Sequence, residues 1–465
     1  MIENSDKQII GVGFSIHSLS AYYASMTPKI WRISDQGDTL TKSFTFSDTT
    51  LAFSRIIQLE NGNYLIVGNV FIPPEYQVEN LVLLELNQDF EIITRKLYSI
   101  AGYSVLGVHV FFKLSNGYLF LGRVDEGQNS KMCMMKLDNN YDTIRTRVYS
   151  YPIYQAGDFM DGIFSPDSSQ IWAFSNELIY DPHQSDHLIV FDTAMNLVKI
   201  KSFPHFVNQN PPYYNIEVEY EHNMSVRSFS DSTFLVGCNH FHEIDGKPQW
   251  DMGFSILDTT MTKVPIQYIG SIDTIEYASL IPPTFDYKNP DSIFFAGIKR
   301  FVMDFWPQKQ SWIRIGLLRN NLQPDFTRFY GGDAYYKVLL TMTTSDGGFV
   351  IACTRYDYKT QNQEDDIFFL KVNNEGLITG NKEQTICPES VFAIYPNPAN
   401  DHVTLDLIVP EAEMLMCDIS GKILLKKKVH EGYNSIDCTV LIPGVYIIEV
   451  KTREGKKYSE KLCIK

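Results

Sequence analysis

A short apolar run ending on a small residue recurs seven times along the chain, and this recurrence constrains the fold more than any other feature. The runs occupy 9–13 (IIGVG), 64–68 (YLIVG), 118–122 (YLFLG), 171–175 (IWAFS), 234–238 (FLVGC), 293–297 (IFFAG) and 349–353 (FVIAC). Their starts lie 53 to 63 residues apart, and the closing residues read Gly13, Gly68, Gly122, Ser175, Cys238, Gly297 and Cys353. A fixed period of that length marks a repeated supersecondary unit. Asn61-Gly62, Asn116-Gly117, Asp231-Ser232 and Asp346-Gly347 precede four of the runs, and such dipeptides suit tight hairpins. A second apolar segment follows each run, as at 81–86, 132–137 and 367–372, and a more polar one closes the unit, as at 94–98, 146–149 and 327–330. With one further strand upstream, as at 54–59, 108–114 and 337–342, each unit holds four short strands and no helical period.

Radial repetition of four-stranded units leaves only short edges and describes a β-propeller. The pattern resembles bacterial propeller repeats. The seventh unit matches best, through Asp346-Gly347-Gly348-Phe349, Asp366-Ile367-Phe368-Phe369-Leu370-Lys371-Val372-Asn373 and the preceding Phe329-Tyr330-Gly331-Gly332. The expectation is an all-β chain with a seven-bladed β-propeller over residues 1–380. Met1 lies eight residues before the first run, so the first blade is expected to be incomplete, lacking its first strand. Two accounts stay open: the missing strand and an export leader lie upstream of a misplaced start, or the segment after Gly380 closes the ring.

Composition narrows the partners. Forty Lys and Arg against 55 Asp and Glu give a net charge of −15, which disfavours nucleic acid and anionic lipid. No apolar run approaches the ~18 residues of a spanning helix, so no transmembrane segment is expected. Seven scattered cysteines without a CxxC pair read as core residues rather than a disulfide or zinc framework.

Beyond a polar linker at 381–391, residues 392–465 alternate in the manner of a small sandwich of immunoglobulin-like kind. Ten basic and ten acidic residues cancel there, so the net charge belongs to the propeller side. Tyr395-Pro396-Asn397-Pro398-Ala399-Asn400-Asp401 opens the segment, followed by Asp418-Ile419-Ser420-Gly421-Lys422, Gly432-Tyr433-Asn434, and Pro443-Gly444-Val445-Tyr446. In that order these motifs resemble the type A C-terminal sorting domain of the Bacteroidetes type IX secretion system; Cys438 departs mildly from the family's larger apolar residue. The resemblance implies the type IX machinery as partner and a secreted or outer-surface location. It also implies a signal peptide, which the N-terminal residues of this chain do not show.

Chemistry on the passenger is less legible. Connections between second and third strands are long and share one face with the links between blades, so function is expected there. Tyr22, Tyr23, Tyr76, Trp306, Tyr356 and Tyr358 are candidates for stacking on a sugar or anchoring a protein, against the alternative that they pack onto blade tops. His183, His187, His240 and His242 form a weaker candidate metal cluster. Asp138, Asn140 and Asp142 imitate a calcium loop but lack its Gly and its closing Glu, and so read as a turn. No catalytic motif is present and no cofactor is expected. The expectation is a monomeric ligand-binding exported protein. A secreted carbohydrate-active enzyme and a purely structural envelope protein are the alternatives.

Overall fold

A computed structural model of the chain describes residues 1–20, 23–35, 37–46, 49–72, 77–103, 105–127, 129–149, 159–165, 167–176, 185–204, 221–244, 247–258, 267–270, 275–279, 283–302, 306–360, 364–378, 391–395, 397–418, 421–453 and 457–464. All elements among them are strands. No described helix is long and apolar enough to cross a membrane, a statement that leaves β-barrels aside. The chain divides into two compact units, Met1–Thr327 with Gly331–Glu383, and Gln384–Lys465 with Arg328–Tyr330.

In the first unit the described strands form seven small sheets in chain order. Five are four-stranded antiparallel meanders, beginning with Ile2–Glu3, Thr50–Gln58, Val105–Leu114, Phe159–Phe164 and Glu221–Ser228. The sixth has its inner strand in two pieces, Glu276–Ala278 and Phe285–Asp286. The seventh has three strands, Tyr335–Thr343, Phe349–Tyr356 and Asp365–Val372. The expected gap in the first sheet is thus corrected: Ile2 pairs with Ile10 and Glu3 with Ile9, a two-residue inner strand where none was expected. Asn4, which ends it, can leave the ladder because its side chain accepts from the Gln8 amide at 2.8 Å and donates to Tyr64 at 3.0 Å.

The repeated runs are continuously apolar because both faces of each sheet are covered. Successive side chains on a strand point to opposite faces. In the second sheet, Tyr64 and Ile66 accordingly pack with Ile10 and Ile30 of the first, while Leu65 and Val67 pack with Leu106 and Phe120 of the third. Equivalent cores join third to fourth, fourth to fifth and fifth to sixth sheets. Phe294 stacks on Phe349 at 5.1 Å between sixth and seventh. Trp31 meets Phe369 at 6.2 Å, joining the seventh sheet to the first. The Glu3 carboxylate accepts from the Ser345 amide and hydroxyl at 2.6 and 2.8 Å across the same seam. A cyclic succession of this kind is propeller-like. Each fully buried Leu or Val contributes ~1.5–3 kcal/mol.

In six of the seven runs the small closing residue faces a break in the neighbouring strand. Opposite Gly68 the inner strand skips Ser54, opposite Gly122 it skips His109, opposite Ser175 it skips Met160, and opposite Cys353 it skips Leu339. In the fifth sheet the register breaks across 222–224, facing Cys238; in the sixth, beside Gly297, the ladder stops at Ala278 and resumes at Phe285. A β-bulge tips the strand toward its partner at that point. A Cβ at Gly68 would lie 2.4 Å from the Ala52 carbonyl oxygen, and one at Gly122 1.9 Å from that of Gly107.

The turns that follow third strands repeat as well. Asn87, Asp138, Asp192 and Asn373 each accept amide hydrogens through their side chains, closing the turn. Asp138 takes those of Asn140 and Asp142 at 2.9 and 2.8 Å, which is the expected turn. In three of these turns the fourth residue is apolar, buried and left-handed: Phe90 (φ 61°), Tyr141 (66°) and Met195 (64°). Burial offsets the backbone strain of a non-glycine residue there.

The second unit is a single five-stranded sheet bent on itself. His402–Asp418 and Ile423–Asp437 pair along nearly their whole length, with a register shift between Leu407 and Glu411 where the hairpin turns the corner. Phe392–Tyr395 flanks one half, Gly444–Thr452 and Lys457–Ile464 the other. Val403, Leu405, Met414, Met416, Ile448 and Leu462 lie in the enclosed core.

Three of the five described cysteines, Cys133, Cys353 and Cys438, are buried, and all five are free. Burial pushes the Cys133 thiol up to about 12. These are the core residues the sequence suggested.

Candidate functional site

Trp306 lies in the connection between second and third strands of the sixth sheet, and Tyr356 ends the second strand of the seventh. Their ring centroids are 5.1 Å apart at 56°. Gln308 ties the pair by donating to the Trp306 carbonyl at 3.2 Å and to the Tyr356 hydroxyl at 3.4 Å. Tyr358 donates to Gln310 at 3.1 Å. The structure thus brings three aromatic candidates to one place and divides their roles. Tyr356 is 1% exposed, so its faces belong to the protein; Trp306 and Tyr358 remain partly open. Tyr22 and Tyr76 lie outside the described residues, as does the side chain of Tyr23.

His183 also lies outside them. His187 pairs with Ser175 and Ser202, and His240 and His242 pair with Asp251 and Gln249, but their side chains are not described. No group of three metal-ligating side chains occurs among the described residues.

A charged cluster missed by the sequence reading sits at the same end of the fifth and sixth sheets. Glu276 opposes Lys299, the last residue of its neighbouring strand. It is fully buried and ion-pairs with Arg314, itself 8% exposed. Burial pulls the Arg314 guanidinium down to about 10, and the nearby charge of Asp251 acts against that. Beside the cluster, Tyr277 stacks on Phe301 at 4.3 Å and meets Trp250 at 5.7 Å. The buried Glu276 carboxylate, ion-paired with Arg314, ties two neighbouring strands, and the Asp251 carboxylate lies close enough to act on the same guanidinium. Nothing in the spacing of Asp251 and Glu276, 63 and 38 residues before Arg314, distinguished them in sequence.

A second network joins the inner strands. Arg227 donates to Asp161 at 3.0 Å and lies 3.7 Å from Asp286; Asp286 in turn accepts from the Thr343 amide and hydroxyl at 2.8 and 2.7 Å. Arg55 donates to the His109 carbonyl at 2.8 Å. Each contact ties one sheet to the next. Burial presses the Arg227 guanidinium downward, and the carboxylates of Asp161 and Asp286 more than reverse it.

In the second unit the motif residues serve the fold directly. Asn397 donates to the Lys461 carbonyl at 2.6 Å and accepts from the Cys463 amide at 2.9 Å, clamping the last strand. The Ala399 amide donates to the Cys463 carbonyl at 2.8 Å, and the Ala399 side chain is fully buried. The Asp401 carbonyl accepts from Cys438 at 2.7 Å. Gly421 takes φ +83° in the turn that Asp418 closes on Lys422. Tyr446 donates to the Ile442 carbonyl at 2.7 Å, which holds the approach through Gly444. Pro398 follows a cis peptide bond, Asn400 is exposed, and Pro396 lies outside the described residues.

Residues 393–465 match the family model described as "Secretion system C-terminal sorting domain". The tail is a type IX secretion-system sorting domain. No curated protein matches the chain. Among solved structures, an α-L-arabinanase of Penicillium chrysogenum is 9% identical, covering 71% of this chain and 99% of its own, with a TM-score of 0.40. A DUF4221 member from Bacteroides vulgatus is 12% identical over 71% of this chain and 100% of its own, TM-score 0.37. A puromycin hydrolase is 9% identical, TM-score 0.47; the match takes in 97% of this chain but only 58% of the hydrolase. The sorting domain therefore carries the functional information that comparison supplies.

Proposed function

We propose that the chain is a secreted or cell-surface protein whose seven sheets act as seven blades, displaying a ligand-binding face for export by the sorting domain. The observation that carries the export reading is the match over residues 393–465, reinforced by motif residues that fasten the domain's final strand. Type IX machinery is the partner this implies. The second unit reads as an immunoglobulin-like sandwich, its two halves supplied by one bent sheet.

The ligand reading assigns the face of the second-to-third-strand connections to a glycan or protein. Trp306 supports it, since a partly open indole braced by a buried tyrosine and a glutamine is pre-organised for stacking. Tyr22, Tyr23, Tyr76 and Tyr358 belong to the same proposed face. Catalysis is the weaker reading, because among the described residues the buried carboxylate of Glu276 on that side is engaged by Arg314.

Expression in a host with the type IX machinery tests export. Removal of residues 392–465 should leave the passenger in the periplasm, whereas the full chain reaches the medium or surface. Surface delivery of the truncated chain would overturn the reading. A glycan array and a pull-down with the folded chain test the ligand face, with Trp306→Ala expected to lower the signal at least tenfold. Silence in both would sink the binding proposal.

A further inference from the structure

On the opposite face, a cleft of about 420 Å³ opens between the third and fourth sheets. That volume lies within the range of small-ligand pockets, roughly 300–1,000 Å³. Its floor is apolar: Leu119 and Ile171 are buried, and Phe164, packed at 4.7 Å on Phe112, keeps part of its ring open. Its rim comes from three tight turns, through Asn116, Ser168 and Thr193. Among the described residues the side chains of these three make no hydrogen bond, so their donors and acceptors face solvent.

Lys136 stands on the wall. It pairs across the ladder with Leu119 and Arg145, which puts its side chain on the cleft side with Met134. Among the described residues it has neither an ion pair nor a hydrogen bond. The surrounding carboxylates are already engaged. Glu60 is held by Lys113 at 2.9 Å, Asp167 by the hydroxyls of Ser165 and Ser169, and Asp192 by Asn196 at 2.7 Å. Arg145 and Arg147 each turn one guanidinium nitrogen to the turn above, on the carbonyls of Ala194 and Met195. Of the two described lysines that line the cleft, Lys113 is paired with Glu60, and Lys136 stands without a described carboxylate partner above the apolar floor and the hydroxyl and amide groups of the rim.

We propose that this cleft binds a carboxylated sugar. The C–H face of a pyranose would lie on Phe164 and the apolar floor. Its hydroxyls would meet Asn116, Ser168 and Thr193, which can both donate and accept. Its carboxylate would meet Lys136 through a charge-assisted hydrogen bond. An acidic peptide would use the cation but leave the hydroxyl-bearing rim and the apolar floor unmatched, so the sugar is the better fit. The site is separate from the connection face and does not depend on the reading of that face.

Titration calorimetry of the full chain with cellobiouronic acid and cellobiose tests this, since the pair differs only by a carboxylate. The acid should bind, and at least tenfold more tightly than cellobiose. Lys136→Met should erase that preference, because no described contact within the protein is lost with its ammonium group. Thr193→Val should weaken both sugars alike, giving an independent readout should the lysine variant fold poorly. Equal binding of the two sugars, absence of binding, an unchanged preference in Lys136→Met, or tighter binding of triglutamate than of the uronate would each overturn the proposal.

Discussion

Single residues show two ways in which this chain manages charge inside β-structure. Glu276 and Arg314 form an ion pair in which both side chains are buried. Removing one partner of a buried pair typically costs about 3–5 kcal/mol, because the other charge is stranded. Glu276→Gln should therefore destabilise the first unit by roughly that amount in denaturant melts, and adding Arg314→Met should recover part of it. A loss under 1 kcal/mol would mean that Arg314 finds compensation elsewhere. Glu460 is the opposite case. Burial pushes its carboxyl up to about 7 despite a backbone hydrogen bond from Ile394. A carboxyl that is easier to protonate when folded favours folding most below its unfolded value, about 4.3, and this contribution is lost as pH rises through 7. Hydrogen exchange in the sorting domain should show Glu460→Gln matching the parent near pH 4 and exceeding it at pH 8, by up to about 3 kcal/mol. Identical profiles at both pH values would refute the shift.

At the scale of elements, the bulge opposite the small residue accounts for the repeat signature. The sequence made the column of small residues visible but not its cause, since a bulge lies on the partner strand and has no fixed residue type. Ser54, His109, Met160 and Leu339 have nothing in common as letters. Gly122→Ala should destabilise by more than 1 kcal/mol, as overpacking commonly does, because its methyl would meet the Gly107 carbonyl. Gly107→Ala, whose nearest neighbour would be the His109 ring at 3.6 Å, should stay within about 0.5 kcal/mol. Equal effects would separate the bulge from the column. The apolar runs were legible because both faces are buried, and the turns because Asn and Asp close them with their own side chains. The first strand was missed for a physical reason: Ile2–Glu3 is held by the side chains of Asn4 and Glu3 rather than by ladder length.

For the whole molecule, the tail was the most legible part, since its motifs are contiguous and each has a structural duty. Among the aromatic candidates, the sequence singled out Trp306 and Tyr356 alike, and only packing shows that Tyr356, at the end of a strand, is spent on the core. The charged cluster and the cleft beside Lys136 were invisible, because their members come from different sheets. The two units have separate cores, which predicts independent folding. Truncation before Phe392 should leave the first unit's melting temperature within a few degrees, the shift that about 1 kcal/mol produces. Collapse of the truncated chain in the same calorimetric scan would show that the first unit needs its tail.

The break in the first strand of six of the seven sheets also behaves as an expansion joint. Sheets two, three, four and seven absorb a single residue there, the fifth absorbs 222–224, and in the sixth the described ladder leaves off at Ala278 and resumes at Phe285. Below the joint, the pairing of Phe285 with Phe295 continues in register whatever length was inserted above it. A lineage copying this unit could lengthen the first strand of a sheet at one tolerant position without shifting the buried faces on either side.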